Sequence, residues 1–267
     1  MMVSRVLAAI EERPSNEQLV MLSDFDGTLA PYHPDPAAPT LSADTKDVLE
    51  TLATRHDTAV GLVSGRRLAD LDLRTRLSRR VYLAGLHGLE IRHEAQAWHH
   101  PDLVESREVT DAVTNAIASR VGYVRGLKLE DKGVALTVHV RSVAPHQRDE
   151  VIRSAREAAS AWLEAGTIKA IDAHYAIEFL PNIGWTKGDA VRWILDDVER
   201  RVGRPAWCVF FGDDETDEDA FRAIDRGLTV VVGRRPSAAR MRLRSPTEVA
   251  HVLARVNGIG HAKEDRR

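Results

Sequence analysis

A single cysteine, Cys208, among 267 residues excludes an intrachain disulfide. Its place inside an apolar run reads as a buried core thiol, in keeping with a reducing cytosol. A large excess of one sign of charge is missing too. The 37 Lys and Arg nearly balance 40 Asp and Glu, for a formal net charge of −3, so there is no basic field for nucleic acid and an anionic ligand must be held locally. No hydrophobic run reaches the length of a membrane span. The apolar patch of the opening MMVSRVLAAIEERP is too short, and too soon interrupted by charge, for a secretion signal. Low-complexity tracts are missing, and the only internal repeat is a helix-strand-strand doubling in the middle of the chain. These absences leave a globular, cytoplasmic chain, a monomer by default. With 43% hydrophobic residues it is long enough for one large domain or two modest ones.

The acidic residues are concentrated in places. Six of the seven residues from Asp213 to Asp219 are acidic and follow directly on the apolar segment Trp207 to Phe211. A strand that delivers several carboxylates to one place must offset their repulsion, and a divalent cation is the usual solution. Near the N-terminus the apolar Val20 to Leu22 runs into SDFDGTLAP, which adds Asp24 and Asp26 beside a glycine and a hydroxyl. Two strand ends that carry aspartates point to one Mg2+ between them.

Strand-like and helix-like segments alternate through the first third. The strands are Val20 to Asp24, Thr58 to Val63 and Val81 to Ala84, with a Ser42-capped helix that buries Val48, Leu49 and Leu52 and a polar segment through the seventies. The last third resumes the pattern. A Thr186-capped helix turns Ala190, Val191, Ile194, Leu195 and Val198 inward, the Trp207 strand and the acidic loop follow, then a helix near Ala220 and a strand Leu228 to Val232. Between them, from about Glu105, the order is helix, strand (Tyr123 to Leu129), strand (Val134 to Arg141), helix (Pro145 to Ala165), strand (Thr167 to Ile171) and strand (Tyr175 to Leu180). The expected fold is α/β: a Rossmann-like parallel-sheet core of residues 1–104 and 182–267, with an α+β cap of residues 105–181 inserted as a lid. The arginines at 234, 235, 240, 242 and 244 read as a solvated helix face. His99 and His100 read as surface residues, Glu215, Glu218 and Asp219 as helix N-terminal acids outside the site, and the tail from Gly258 as frayed.

In an open parallel sheet the reactive groups gather at the carboxyl ends of the strands. Here those positions carry Asp24 and Asp26, then Ser64, Lys187 at a helix start, and Asp213 onward, a set suited to phosphoryl transfer. A carboxylate such as Asp24 can attack phosphorus and form an aspartyl-phosphate. Asp24, Asp213 and the backbone carbonyl of Asp26 could hold Mg2+, while Ser64, Lys187 and N–H groups near Gly27 hold phosphoryl oxygens. Asp26 could protonate the leaving alkoxide and later deprotonate the attacking water.

DFDGT, LVSGR, TKGDA and GDDETD, in this order, resemble the four motifs of the haloacid dehalogenase (HAD) superfamily. DGTLAP, GLHGLEI, EDKGVALTVHVR, IEFLP and GDDETDEDAF narrow the resemblance to trehalose-6-phosphate phosphatases, over essentially the whole chain. It implies Asp24 as nucleophile, Asp26 as general acid and base, Ser64 and Lys187 as phosphate clamp, and Asp24, Asp26 and Asp213 as Mg2+ ligands. Asp214 and Asp217 would orient metal-bound waters and Lys187. Glu130, Lys132 and Glu178 of the cap, with Arg66, His87 and Gly88 of the core, would contact a sugar phosphate, a small-molecule partner. Leu180 stands where the family often has a basic residue, and Trp185 and Thr186 precede the lysine where asparagine is often found. Trehalose 6-phosphate is the expected substrate. The alternatives are another sugar phosphate, such as a glucosyl or mannosyl conjugate, a phospho-acceptor signalling domain, and a catalytically dead sensor.

Overall fold

The computed structural model describes residues 2–33, 35–173 and 175–264. The chain opens with α1 (Met2–Glu11), β1 (Gln18–Ser23), α2 (Ala43–Ala53), β2 (Thr58–Val63), α3 (Leu68–Thr75), β3 (Tyr82–Gly85), β4 (Glu90–His93) and β5 (Gln96–His99). It continues with α4 (Ser106–Val121), β6 (Lys128–Asp131), β7 (Leu136–His139), α5 (Pro145–Ala158), α6 (Ser160–Glu164), β8 (Ile168–Ala173) and β9 (Ala176–Pro181). The last stretch is α7 (Lys187–Val202), β10 (Ala206–Gly212), α8 (Asp217–Ala223), β11 (Gly227–Val232), β12 (Met241–Leu243) and α9 (Pro246–Glu264). Two compact units result: one runs through Trp98 and resumes at Trp185, and the other is His99–Gly184.

The first unit is built on an eight-stranded sheet in the order β12-β11-β10-β1-β2-β3-β4-β5. Its first six strands in that order pair in parallel, and β3 pairs antiparallel with β4. Helices cover both faces, so the central strands are continuous apolar runs without polar alternation. Leu19 and Met21 of β1 join a core with Val6, Leu49, Leu71 and Val252 from α1, α2, α3 and α9. Val20 and Leu22 point the other way, onto Val191, Ile194 and Val198 of α7 and Phe221 of α8. Cys208 is fully buried in this second core, as its apolar run predicts.

The second unit has a four-stranded antiparallel sheet, β6-β7-β9-β8. One face carries Leu136, Val138, Ile177 and Phe179 against Val113 and Ile117 of α4 and Val151 and Ala155 of α5. Among the described residues no helix is long and apolar enough to cross a membrane.

Several local expectations are corrected. The polar seventies hold helix α3, which buries Leu71 but leaves Leu73 exposed, too little apolar face to mark a helix in the sequence. The strand expected from Tyr123 begins only at Lys128, because Gly122 and Gly126 take positive φ and Tyr123 is exposed. The helix expected through Ala165 is divided at Ala159, where φ is −92° and ψ 0°. The arginine stretch is not a helix face. Strand β12 lies within it, and Arg240 and Arg242 donate to the carbonyls of Gly227 (2.5 Å), Gly233 (2.7 Å) and Arg235 (2.8 Å). Glu218 is not a solvated helix acid either, being buried on Arg235 and the Ala238 N–H. The tail is helical through Glu264; residues 265–267 lie outside the described residues.

Candidate active site

From β1 the chain builds the sheet outward through β2 and β3, then returns to build the opposite side from β10, so the topological switch point lies between β1 and β10. Crevices at such points are where open α/β sheets bind ligands. Asp24 follows the last residue of β1 and donates its N–H to Phe211 O at 2.8 Å; Asp213 follows the last residue of β10. The loop after Asp24 closes on itself, with Gly27 N–H donating to Ala30 O at 2.7 Å. Gly27 has φ of +84°, and a Cβ there would stand 2.3 Å from Asp213 Oδ2, so only glycine lets the two loops approach. That bond commits the Gly27 N–H within its own loop, so the N–H groups near Gly27 expected to hold phosphoryl oxygens do not include its own.

Lys187, the first residue of α7, is buried, and Nζ donates to Asp24 Oδ1 and Asp217 Oδ1, each at 2.8 Å. The helix start is fixed by Thr186, whose Oγ1 accepts from Gly188 N–H while its own N–H donates to Asp189 Oδ2. Asp217 also accepts from Asp213 N–H (2.7 Å) and Asp214 N–H (3.0 Å), tying the acidic loop to the lysine. Asp214 Oδ1 is bound by Thr216 and stands 4.0 Å from Lys187 Nζ. Thr28 Oγ1 and Tyr32 OH each donate to Asp213 at 2.9 Å.

Carboxylate oxygens of Asp24, Asp213 and Asp217 all lie within 4.8 Å of one another. One ammonium among four aspartates leaves surplus negative charge: three of the acids titrate high, while at Asp214 burial is outweighed by Lys187 and the Thr216 hydrogen bond, which hold it below the usual carboxylate range. Burial pushes Asp24 well above the usual carboxylate range, with Lys187 opposing and the other aspartates reinforcing. Burial and the charges of Asp217 and Asp214 raise Asp213 to about 7. Asp217, buried and only partly relieved by Lys187, is raised to about 6. Burial works against the Lys187 charge, but Asp217 and Asp24 outweigh it and hold the ammonium above the ordinary lysine value. Clustered, under-neutralised oxygen donors fit a hard divalent cation such as Mg2+.

Ser64 follows β2 and is buried, its Oγ accepting from Arg66 N–H at 3.2 Å. Ser64 O accepts from His87 N–H at 2.9 Å, which brings the loop after β3 to the same end of the sheet. Leu86, His87 and Gly88 there take three successive positive φ values, 50°, 56° and 96°. At Gly88 a Cβ would meet that of Ala190 at 2.1 Å, so the loop seats directly on the first turn of α7. The Arg66 guanidinium grips both oxygens of Asp26, at 2.6 and 2.7 Å. The side chain of Asp26 is therefore directed at Arg66, and the carboxylate cluster is completed by Asp217, a residue expected in the outer shell.

In the second unit Glu130, Thr137 and Glu178 lie in register across β6, β7 and β9, on the face opposite the unit's core. Lys132 Nζ donates to Glu178 Oε1 at 2.6 Å with both side chains buried, and His139 Nε2 is 2.7 Å from Glu130 Oε2. Thr137 and His139 were not singled out from the sequence as partners of these acids, although the alternation along β7 places them on this face. Thr28 and Tyr32 were missed as well. Thr28 lies inside a recognisable motif, whereas nothing in the spacing of Tyr32 marks it.

A family model described as trehalose-phosphatase matches residues 22–247. The trehalose-phosphate phosphatase of Mycobacterium marinum is 31% identical over 240 residues, which cover 87% of this chain and 60% of that protein. Trehalose 6-phosphate phosphatase RA3 of Zea mays is 28% identical over 258 residues, covering 90% of this chain and 70% of that protein. The chain thus spans about 60% of the length of the curated mycobacterial relatives it matches. Among solved structures, the C-terminal domain of the C. albicans trehalose-6-phosphate phosphatase superposes with a TM-score of 0.83 at 22% identity, over 97% of each chain. A haloacid dehalogenase-like hydrolase from Bacteroides thetaiotaomicron gives a TM-score of 0.63 at 15% identity, over 90% of this chain and 99% of that one. Both likenesses identify the fold as HAD-like α/β.

Proposed function

The chain belongs to the trehalose-phosphatase family, and on that premise we propose that it is a Mg2+-dependent phosphomonoesterase that hydrolyses trehalose 6-phosphate to trehalose and phosphate. The observation that carries this reading is the Lys187 ammonium 2.8 Å from Asp24 Oδ1, at the switch point, with Asp213 and Asp217 clustered around it. Asp24 and Asp213, with the backbone carbonyl of Asp26, would hold the ion. When bound, Mg2+ supplies the positive charge that offsets repulsion between a carboxylate nucleophile and a phosphate dianion.

Asp24 attacks phosphorus and takes the phosphoryl group as an aspartyl-phosphate, breaking the bond to the sugar oxygen. Asp26 gives that oxygen a proton and, in the second half-reaction, takes one from the attacking water. Ser64 Oγ and the Lys187 ammonium hold the equatorial oxygens where charge accumulates. Asp217 keeps Lys187 in place through its 2.8 Å contact and fixes the acidic loop through two backbone N–H groups. His87 and Gly88 are assigned to the substrate. Glu130, Lys132 and Glu178 of the second unit are assigned to sugar hydroxyls, which carboxylates accept from and an ammonium donates to.

One observation favours a second reading, a phosphatase for another sugar phosphate. Leu180 is buried and apolar two residues along β9 from Glu178, on the same strand face, where it offers a hydroxyl nothing to bond. Phosphate release from trehalose 6-phosphate, glucose 6-phosphate and other sugar phosphates, each with Mg2+ and with EDTA, separates the two. Preference for trehalose 6-phosphate that EDTA abolishes is the expected result. A clear preference for a different sugar phosphate would replace the substrate and keep the chemistry.

A further inference from the structure

Arg66 lies three residues beyond the end of β2, and four of its five N–H donors are spent on protein groups. Nε and Nη2 take the two oxygens of Asp26 at 2.6 and 2.7 Å. Nη2 also reaches Pro36 O, and Nη1 reaches Asp70 Oδ2, each at 2.8 Å. Asp70 is gripped in turn by Arg74 Nε at 2.7 Å, and Arg74 donates to the carbonyls of Ala37 and Pro39. An Arg66–Asp70–Arg74 ladder at i, i+4 and i+8 therefore pins residues 36–39 against the start of α3, with the Asp26 carboxylate as its top rung. The Arg66 side chain is 9% exposed.

An arginine that recognises phosphate needs its fork open, and this one has a single donor left. A carboxylate that must deliver and remove a proton at a fixed oxygen needs a fixed plane and rotamer, and a bidentate fork holds both. We propose that Arg66 is a positioning residue that aims the Asp26 carboxylate at the reacting oxygen and does not itself bind the sugar phosphate. The inference rests on the acid and base role assigned to Asp26 above.

The test uses the full chain with Mg2+ and four variants: Arg66→Gln, Arg66→Lys, Asp26→Asn and the double variant Arg66→Gln/Asp26→Asn. For each, kcat and KM are measured with trehalose 6-phosphate and with p-nitrophenyl phosphate, together with the pre-steady-state burst of p-nitrophenolate. Arg66→Gln should lower kcat on the sugar phosphate on the order of 10- to 100-fold, a part of the roughly 10²- to 10⁴-fold that general acid–base catalysis supplies. KM should change by no more than about twofold, because no substrate contact is lost. The burst should suffer less, since p-nitrophenolate leaves without a proton. Arg66→Lys should recover little, because one ammonium cannot grip both oxygens. The double variant should be no slower than Asp26→Asn alone, since a residue that acts only through Asp26 has nothing left to act on.

A raised KM with unchanged kcat, a p-nitrophenolate burst slowed as much as kcat on trehalose 6-phosphate, or losses that multiply in the double variant would overturn the proposal and return Arg66 to the substrate. If Arg66→Gln is unfolded by circular dichroism, the same cycle is run with Arg66→Lys. A wild-type chain that turns over p-nitrophenyl phosphate but not trehalose 6-phosphate would sink the substrate assignment only. Steady-state turnover of p-nitrophenyl phosphate still needs Asp26 as base, so the Arg66–Asp26 cycle is decided on that substrate.

Discussion

Lys187 Nζ stands 2.8 Å from Asp24 Oδ1 with both side chains buried, so the group assigned to clamp phosphate and the group assigned to attack it form one ion pair. The pair orients Asp24 and favours its ionised form. Asp24→Asn removes the nucleophile but is nearly isosteric, and Lys187 keeps Asp217 as a partner. Mg2+-dependent phosphate release should fall to background, with Tm shifted by no more than about 4 °C, the equivalent of roughly 1 kcal/mol or less. Substantial remaining turnover in a folded variant would remove Asp24 from the nucleophile's role.

The Lys132–Glu178 pair offers a test on the second unit alone. Both side chains are nearly sealed from water, at 8% and 9% exposure. Removing one partner takes the short ion pair from a buried charge, which costs up to about 3–5 kcal/mol. Lys132→Ala should therefore destabilise the chain by an amount near that range, read from urea unfolding. Glu178→Gln keeps the shape and a hydrogen-bond acceptor but no longer pairs the ammonium. It should harm turnover of the sugar phosphate far more than that of p-nitrophenyl phosphate, and equal losses on both would argue against a sugar contact.

The layered fold and the aspartates at two strand ends were legible because each has a local signature. Apolar runs such as Val20 to Leu22 and Thr58 to Val63 mark doubly covered parallel strands, and Asp213, directly after one of them, marks the strand end where the acids gather. What escaped depends on contacts that sequence spacing does not encode. Helix α3 buries one leucine fully and leaves another exposed. Tyr32 reaches Asp213 across 181 residues. The arginines of 234–244 look like a solvated stripe because nothing local reveals that carbonyls at Gly227 and Gly233 await them. Arg66 was legible as a member of the site but not as the partner of Asp26, which lies 40 residues earlier.

Gly88→Ala tests whether the loop after β3 must touch α7. A methyl there would lie 2.1 Å from Ala190 Cβ, on a residue with φ of +96°. Backbone strain and overpacking each cost about 1–3 kcal/mol. The variant should lose stability by roughly that much and shift His87, read as a fall in kcat/KM larger than the fall in Tm explains. A variant with wild-type stability and rate would show that the loop can move away from the helix without consequence.

The acids of the site should make the metal-free protein less stable as pH rises, the reverse of ordinary carboxylates. Asp213 is raised from its usual value to about 7 and Asp217 to about 6, so between roughly pH 4 and 7 the folded chain binds more protons here than the unfolded chain. The stabilisation is fully present below the unfolded carboxylate value and is lost as pH climbs through the folded one. His93, held below the ordinary imidazole value by burial, works in the opposite direction over part of the same window. The informative quantity is therefore the difference between wild type and Asp213→Asn. In EDTA the variant's Tm should exceed that of wild type at pH 8, by a margin that shrinks toward pH 5. With Mg2+ at pH 8 the margin should shrink or reverse, because only wild type retains the charged Asp213 carboxylate with which to hold the ion and gain its binding energy. Isothermal titration with Mg2+ gives the same comparison without heating. A pH-independent margin in EDTA, or equal Mg2+ affinity in both proteins, would take Asp213 out of the charge cluster and out of the metal site together.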